Sequence, residues 1–175
     1  MRLIWTLVIF VVLGTDPVMA QNQITTYGYV EKATLIDKQL TLSAKLDTGA
    51  KSASLNASQI TQFDIDGKPY VRFTVPTKDK NYIFESPYVG KVKIKVRAHE
   101  ANSQDTEASR PMKRPVVMLK IQLGDQIREL RVNLTNRKRF IYPLLLGRDA
   151  IIAFNGAVDP ALTFTLSKSR KKNEQ

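Results

Sequence analysis

Hydrophobic residues recur at every second position through Leu40, Leu42, Ala44 and Leu46, with Thr41, Ser43 and Lys45 between them. A period of two predicts a strand with one face in a core and the other polar. The run stops at Asp47-Thr48-Gly49. Upstream, Thr26–Ile36 is rich in β-forming residues and reads as a first strand, with a turn at Asp37-Lys38 leading into the next. Downstream, the short polar-alternating stretch Ser52–Ala57 predicts a further strand. Asp66-Gly67 separates Thr61–Ile65 from Tyr70–Val75, a hairpin signal. Tyr82–Glu85 pairs onward, and Lys91–Arg97 alternates four cations with Val92, Ile94 and Val96.

From Ala98 to Arg114 the apolar periodicity disappears, which predicts an exposed loop. It resumes in Val117, Leu119, Ile121 and Leu123, turns at Gly124-Asp125 and returns through Arg128–Leu134 as a second hairpin. Residues 140–147 read as a buried strand ending at a glycine, Arg148–Phe154 as a helix of about two turns, and Leu162–Leu166 as a last strand. Helix content is low. The pattern predicts an all-β fold, a small closed or sandwich-like barrel with one short helix.

The first segment changes where this fold is expected to work. Arg2 precedes the apolar run Leu3–Leu13, and Val18-Met19-Ala20 gives a small-residue exit. These are the parts of a secretory signal peptide, cut after Ala20, so a periplasmic or secreted protein is expected. The run is short for a membrane span, and Asp16 and Pro17 follow it. Residues 21–167 then suit one compact domain, with 168–175 as a basic solvated tail. The chain has no cysteine, so no disulfide staples the exported fold and its core must suffice. His99 is the only histidine, and there is no His-Glu-x-x-His pair. No metal site and no cofactor are expected.

The net charge is +11, partly from Lys168–Lys172 and partly from the strand Lys91–Arg97. Such a face attracts anionic partners, and weak association with an anionic membrane surface is within its reach. It also serves as a solvated strand face that discourages edge-to-edge pairing. The aromatic interleaving of a base-stacking platform is missing, so no nucleic-acid partner is expected.

Candidate chemistry centres on Asp47. Gly49 permits a tight turn or a close backbone approach, and the short Thr-Gly loop presents one carboxylate behind an apolar strand. A carboxylate held this way suits acid/base chemistry on water. Asp and Gly are also ordinary turn residues, so the tripeptide alone leaves both readings open. A second segment, Leu144-Leu145-Leu146-Gly147-Arg148-Asp149, stands before the predicted helix.

Together the two segments resemble the retropepsin-like aspartic proteases, in which Asp-Thr-Gly carries the catalytic aspartate and a hydrophobic-hydrophobic-Gly strand supports it. The chain is most similar to a bacterial branch whose members are often labelled "ATP-dependent zinc proteases". Ala44–Ser52, Val71–Val75, Arg114-Pro115-Val116, Asn133–Arg137 and Tyr142–Arg148 carry that likeness across most of the chain after Ala20. The zinc and ATP of the label find no ligand cluster and no Gly-x-x-x-x-Gly-Lys loop here.

The resemblance implies a closed barrel of retropepsin type and peptide hydrolysis by two aspartates that share one proton. The chain has a single Asp-Thr-Gly. A homodimer with Asp47 from each copy on the two-fold axis is therefore expected, acting on a protein or peptide substrate. In that scheme Thr48 bonds across the dyad, Gly49 lets its backbone approach the carboxylates, and Ala50 completes the supporting loop. Gly147 packs under the loop, Arg148 forms a supporting ion pair, and a flap comes from the hairpin at Asp66-Gly67 or, second, from the segment up to Tyr88. Lys51 departs from the acidic residue that retroviral enzymes carry soon after the Ala, and the chain between the two motifs is longer. The rival expectation is a non-catalytic envelope binding module that turns the basic strand face toward an anionic polymer.

Overall fold

The computed structural model describes residues 23–94 and 112–166. Ten strands occupy most of it: β1 Thr25–Leu35, β2 Leu40–Asp47, β3 Ala53–Asn56, β4 Ser58–Ile65, β5 Lys68–Pro76, β6 Asn81–Ile94, β7 Met112–Leu123, β8 Gln126–Thr135, β9 Leu144–Gly147 and β10 Gly156–Thr163. A single α-helix, α1 (Arg148–Ala153), and one 3-10 turn, Ile36–Lys38, complete the described elements. The fold is all-β, as the alternation predicts.

Strands β1, β2, β9, β3, β8 and β7 lie side by side in that order, and β7 pairs back onto β1 through Ala33↔Leu123, Thr34↔Gln122 and Leu35↔Ile121. Six strands thus close a barrel, which removes free edges from its wall. Alternate residues of these strands fill the interior, among them Ala33, Leu35, Leu42, Ala44, Leu46, Leu55, Leu119, Ile121, Val132, Leu134, Leu144 and Leu146, all buried. Beyond β7 the sheet continues as β6, β5 and β4, a three-stranded arm with Phe73 and Phe84 stacked 5.4 Å apart. Among the described residues no helix is long and apolar enough to cross a membrane.

Several expected elements shift, each for a physical reason. The segments Tyr82–Glu85 and Lys91–Arg97 begin as parts of one strand, β6; residues 95–97 lie outside the described residues. The loop expected over Ala98–Arg114 ends earlier, because Met112, Lys113 and Arg114 already pair with Ile94, Lys93 and Val92. A ladder of charged side chains lacks the apolar alternation by which strands are recognised. Residues 1–22, 95–111 and 167–175, including the expected leader and the expected basic tail, lie outside the described residues.

The strand expected over 140–147 is only Leu144–Gly147. Ile141 is 88% exposed and Phe140 stacks on the Arg137 guanidinium at 4.3 Å instead of entering the core. Pro143 has no N–H for a ladder, and its carbonyl accepts from Asn56 N–H at 2.7 Å. The last strand is Gly156–Thr163, earlier than Leu162–Leu166. It runs parallel to β1 at the sheet's end, where Pro160 is tolerated. Gly28 allows this approach: a Cβ there would stand 2.6 Å from the Leu162 carbonyl oxygen. Buried Glu31 then fixes the following residues, its Oε1 accepting the N–H groups of Gly28 and Thr165, both at 2.9 Å.

Candidate active site

The carboxylate sits where β2 leaves the barrel. Parallel pairing of β2 with β9 sets Ala44, Lys45, Leu46 and Asp47 beside Leu144, Leu145, Leu146 and Gly147. Leu46 and Leu146 point into the core, so Asp47 stands on a strand end anchored by burial. The chain then turns: Ala50 N–H donates to the Asp47 carbonyl at 3.2 Å, and Gly49 N–H donates to Asp47 Oδ1 at 3.0 Å.

The β9–α1 junction locks this turn from below. Arg148 and Asp149 backbone N–H groups donate to the carbonyls of Ala50 and Lys51 at 2.9 and 3.1 Å. A Cβ on Gly147 would lie 2.7–2.8 Å from the carbonyl oxygens of Ala50, Lys51 and Ser52. Glycine is the residue that lets strand and loop approach so closely. Arg148 Nη1 donates to the Thr48 and Gly49 carbonyls at 3.0 and 3.3 Å. The expected ion pair of Arg148 is corrected here: within the described residues its guanidinium meets carbonyl oxygens and no carboxylate within ion-pair distance.

Among the described residues, Asp47 has one charged neighbour at contact distance, Lys45, whose Nζ is 3.4 Å from Oδ2. The pleat of β2 puts residues two apart on one face, so the pair follows from register. Partial burial pushes the Asp47 carboxyl up, but the Gly49 N–H, the Lys45 ammonium and the Ala50 N–H outweigh it. The net result lies below the ordinary carboxylate value. The expected site residues Asp47, Thr48, Gly49, Ala50, Gly147 and Arg148 therefore form one contiguous cluster.

Beside that loop lies a cavity of about 750 Å³. Its wall carries Lys51, Lys91, Lys93, Arg114, Arg131 and Arg137, against Asp149 as the acid in the same lining. The cationic strand thus faces the loop's own cavity. The Asp66-Gly67 hairpin contributes nothing to this lining, which draws on β6 and β7 instead. Arg137 is buried; its N–H donates to Asn56 Oδ1 at 2.7 Å and its Nε to the Tyr142 carbonyl at 3.3 Å. Burial and the like charge of Arg114 push its guanidinium below its ordinary value, with Asp47 opposing. Among the described residues, no three His, Cys, Asp or Glu side chains gather where they could hold a metal.

Lys45 and Arg137 fall within segments that carry the resemblance, but the sequence reading gives neither a chemical role. Lys45 could have been found from its place two residues before Asp47 in an alternating strand. Arg137 gives no such signal, since burial by a loop is not encoded in any periodicity.

A family model, longer curated proteins and a solved structure are similar to this chain. The family model described as retropepsin-like aspartic endopeptidase RimB matches residues 26–169. A probable alpha-L-glutamate ligase of Shewanella pealeana is 33% identical over 131 residues, covering 73% of this chain and 26% of that protein. One from Desulfotalea psychrophila is 28% identical over 136 residues, covering 75% and 27%. The chain therefore spans about a quarter of the length of these curated relatives. The crystal structure of a protein of unknown function from Legionella pneumophila superposes with a TM-score of 0.71 at 66% identity, over 81% of this chain and 98% of that one.

Proposed function

Because the chain belongs to the RimB-like family of retropepsin-like aspartic endopeptidases, we propose that it is an exported aspartic endopeptidase that works as a homodimer. The observation that carries this reading is the Asp47 turn itself. Its carboxylate is tied to Gly49 N–H, and its backbone is braced by Gly147 and Arg148. A carboxylate pre-positioned in this way loses little on ordering when a second one approaches it.

In the dimer, Asp47 and the partner's Asp47 share one proton. The ionised carboxylate removes a proton from water as the water oxygen attacks the scissile carbonyl carbon. The protonated carboxyl gives its proton to the carbonyl oxygen. Collapse of the tetrahedral species breaks the C–N bond: the amine leaves with the proton held by the first carboxylate, and a hydroxyl proton of the diol returns to the second, which restores the single shared proton. Lys51 at the end of the loop, with the other cations of the cavity wall, suits a peptide that carries acidic side chains. The longer relatives are named as probable alpha-L-glutamate ligases, after an acidic amino acid.

The test is hydrolysis of fluorogenic peptides by residues 21–175, acidic sequences against their amide counterparts. Cleavage should favour the acidic set and fall by about 10²–10⁴-fold in Asp47→Asn. The rival, a non-catalytic binding module, has the same cavity in its favour. It predicts binding of acidic peptides by wild type and Asp47→Asn alike, with no hydrolysis by either. Export rests on residues 1–20, and a secreted protein whose N-terminus is not Gln21 would sink the proposed cut.

A further inference from the structure

The Lys45–Asp47 pair is the one ion pair that any described residue makes with the Asp47 carboxylate. Lys45 has no part in bracing the turn: its backbone is ladder-paired with Val30 on β1 and Leu145 on β9, and its ammonium reaches forward along β2 to Oδ2. Gly49 N–H holds the other oxygen, Oδ1. The two carboxylate oxygens are thus held by two different groups, one fixed by the loop and one by the strand.

The remaining charges around the site make their contacts to other atoms, although the Arg137 guanidinium also feels the Asp47 charge from beyond contact distance. Arg148 of α1 is spent on the Thr48 and Gly49 carbonyls. Arg137, from the loop after β8, donates to Tyr142 and stacks on Phe140. Lys51 and Asp149 line the cavity, as does Arg114 of β7. None of these replaces the contact that Lys45 makes on Oδ2.

We propose that Lys45 is a positioning residue for the dyad, which orients the Asp47 carboxylate and sets the pH interval over which two Asp47 side chains hold a single proton. This rests on the proteolytic reading above. Two carboxylates brought together repel, and that repulsion raises the pH at which they take up a proton. A lysine beside each one offsets part of the repulsion. The singly protonated, active state then lies at lower pH than it would without the lysines. Both partners of the pair are partly solvated, with side-chain exposures of 44% and 29%, so the effect is moderate and weakened by salt.

The experiment is a carboxyl-carbon NMR titration of Asp47 in the full chain, run beside a pH–activity profile, for wild type, Lys45→Met and Lys45→Arg. Lys45→Met should titrate higher by about half a unit to one unit at low salt, and its activity profile should move the same way. Lys45→Arg should stay close to wild type, and the wild-type–Met gap should narrow in 1 M salt. Coincident titration curves for wild type and Lys45→Met overturn the inference, whatever the activity. Failure of the proteolytic reading looks different: Asp47→Asn would then cleave peptides as well as wild type does, or wild type would cleave none.

Discussion

Two turns in this molecule begin from nearly the same sequence. Asp47-Thr48-Gly49 ends β2 and Asp66-Gly67 ends β4, each an aspartate and a glycine closing a strand. At Asp66-Gly67 both residues adopt positive φ, 50° and 73°, and nothing lies within 4 Å of where a Gly67 Cβ would be. The turn simply reverses a solvated hairpin. At Asp47 the chain has the same small-residue chemistry, but the β9–α1 junction packs beneath it and claims its carbonyls. A local motif is shared; what distinguishes a site from a turn is the distant segment that fixes it. Gly147 and Arg148, not Thr48 or Gly49, make the first turn rigid.

The sharpest way to break this comparison is to neutralise both aspartates in turn. Asp47→Asn should remove about 10²–10⁴-fold of peptide hydrolysis, whereas Asp66→Asn should leave the rate within twofold of wild type. Equal effects, measured as kcat/KM on the acidic peptides, would erase the functional distinction between the turns.

Next in size is the glycine pair. Gly147→Ala drives a methyl group against three carbonyl oxygens that belong to backbone, so strand or loop must move, at a cost of about 3 kcal/mol or more. Gly67→Ala meets no atom and costs only the strain of its positive φ, about 1 kcal/mol. Urea denaturation of both variants reads the difference directly. A Gly147→Ala protein no less stable than Gly67→Ala would mean that the junction yields easily.

How much of this was legible in the sequence differs between the two regions. The β2 alternation and its stop at Asp47 were legible because one barrel face is buried and the other is not, which period two records. The β4–β5 and β7–β8 hairpins were legible from their two-residue turns. Illegible were β10, which runs parallel to β1 at the sheet's end with a proline inside it, and the Phe140–Pro143 loop. There, Phe140 stacks on an arginine and Ile141 stays in solvent instead of entering the core. The cavity was half legible: the cationic strand is plain in Lys91-Val92-Lys93, but only the fold turns it toward Lys51 and Arg137. Charge on one strand tells nothing about which strand it will face.

The smallest effect sharpens the comparison at the carboxylate itself. In a chain not paired with a second copy, the Asp47 carboxyl is held below its ordinary value of 3.8, so its ionised form favours the folded chain. That contribution is complete above about pH 5, where the unfolded chain is also ionised, and is lost as pH falls through 3.8 toward the lower folded value. Asp47→Asn keeps an oxygen for the Gly49 N–H but has no charge for Lys45. Wild type should therefore lose more stability than Asp47→Asn between pH 5 and pH 2, in denaturation curves taken at low salt. High salt should shrink the gap, since the Lys45 contact is partly solvated. Parallel curves for the two proteins at low salt would mean that the loop holds the carboxylate no more tightly than solvent does, and the rigidity assigned to this turn would then be one of backbone alone.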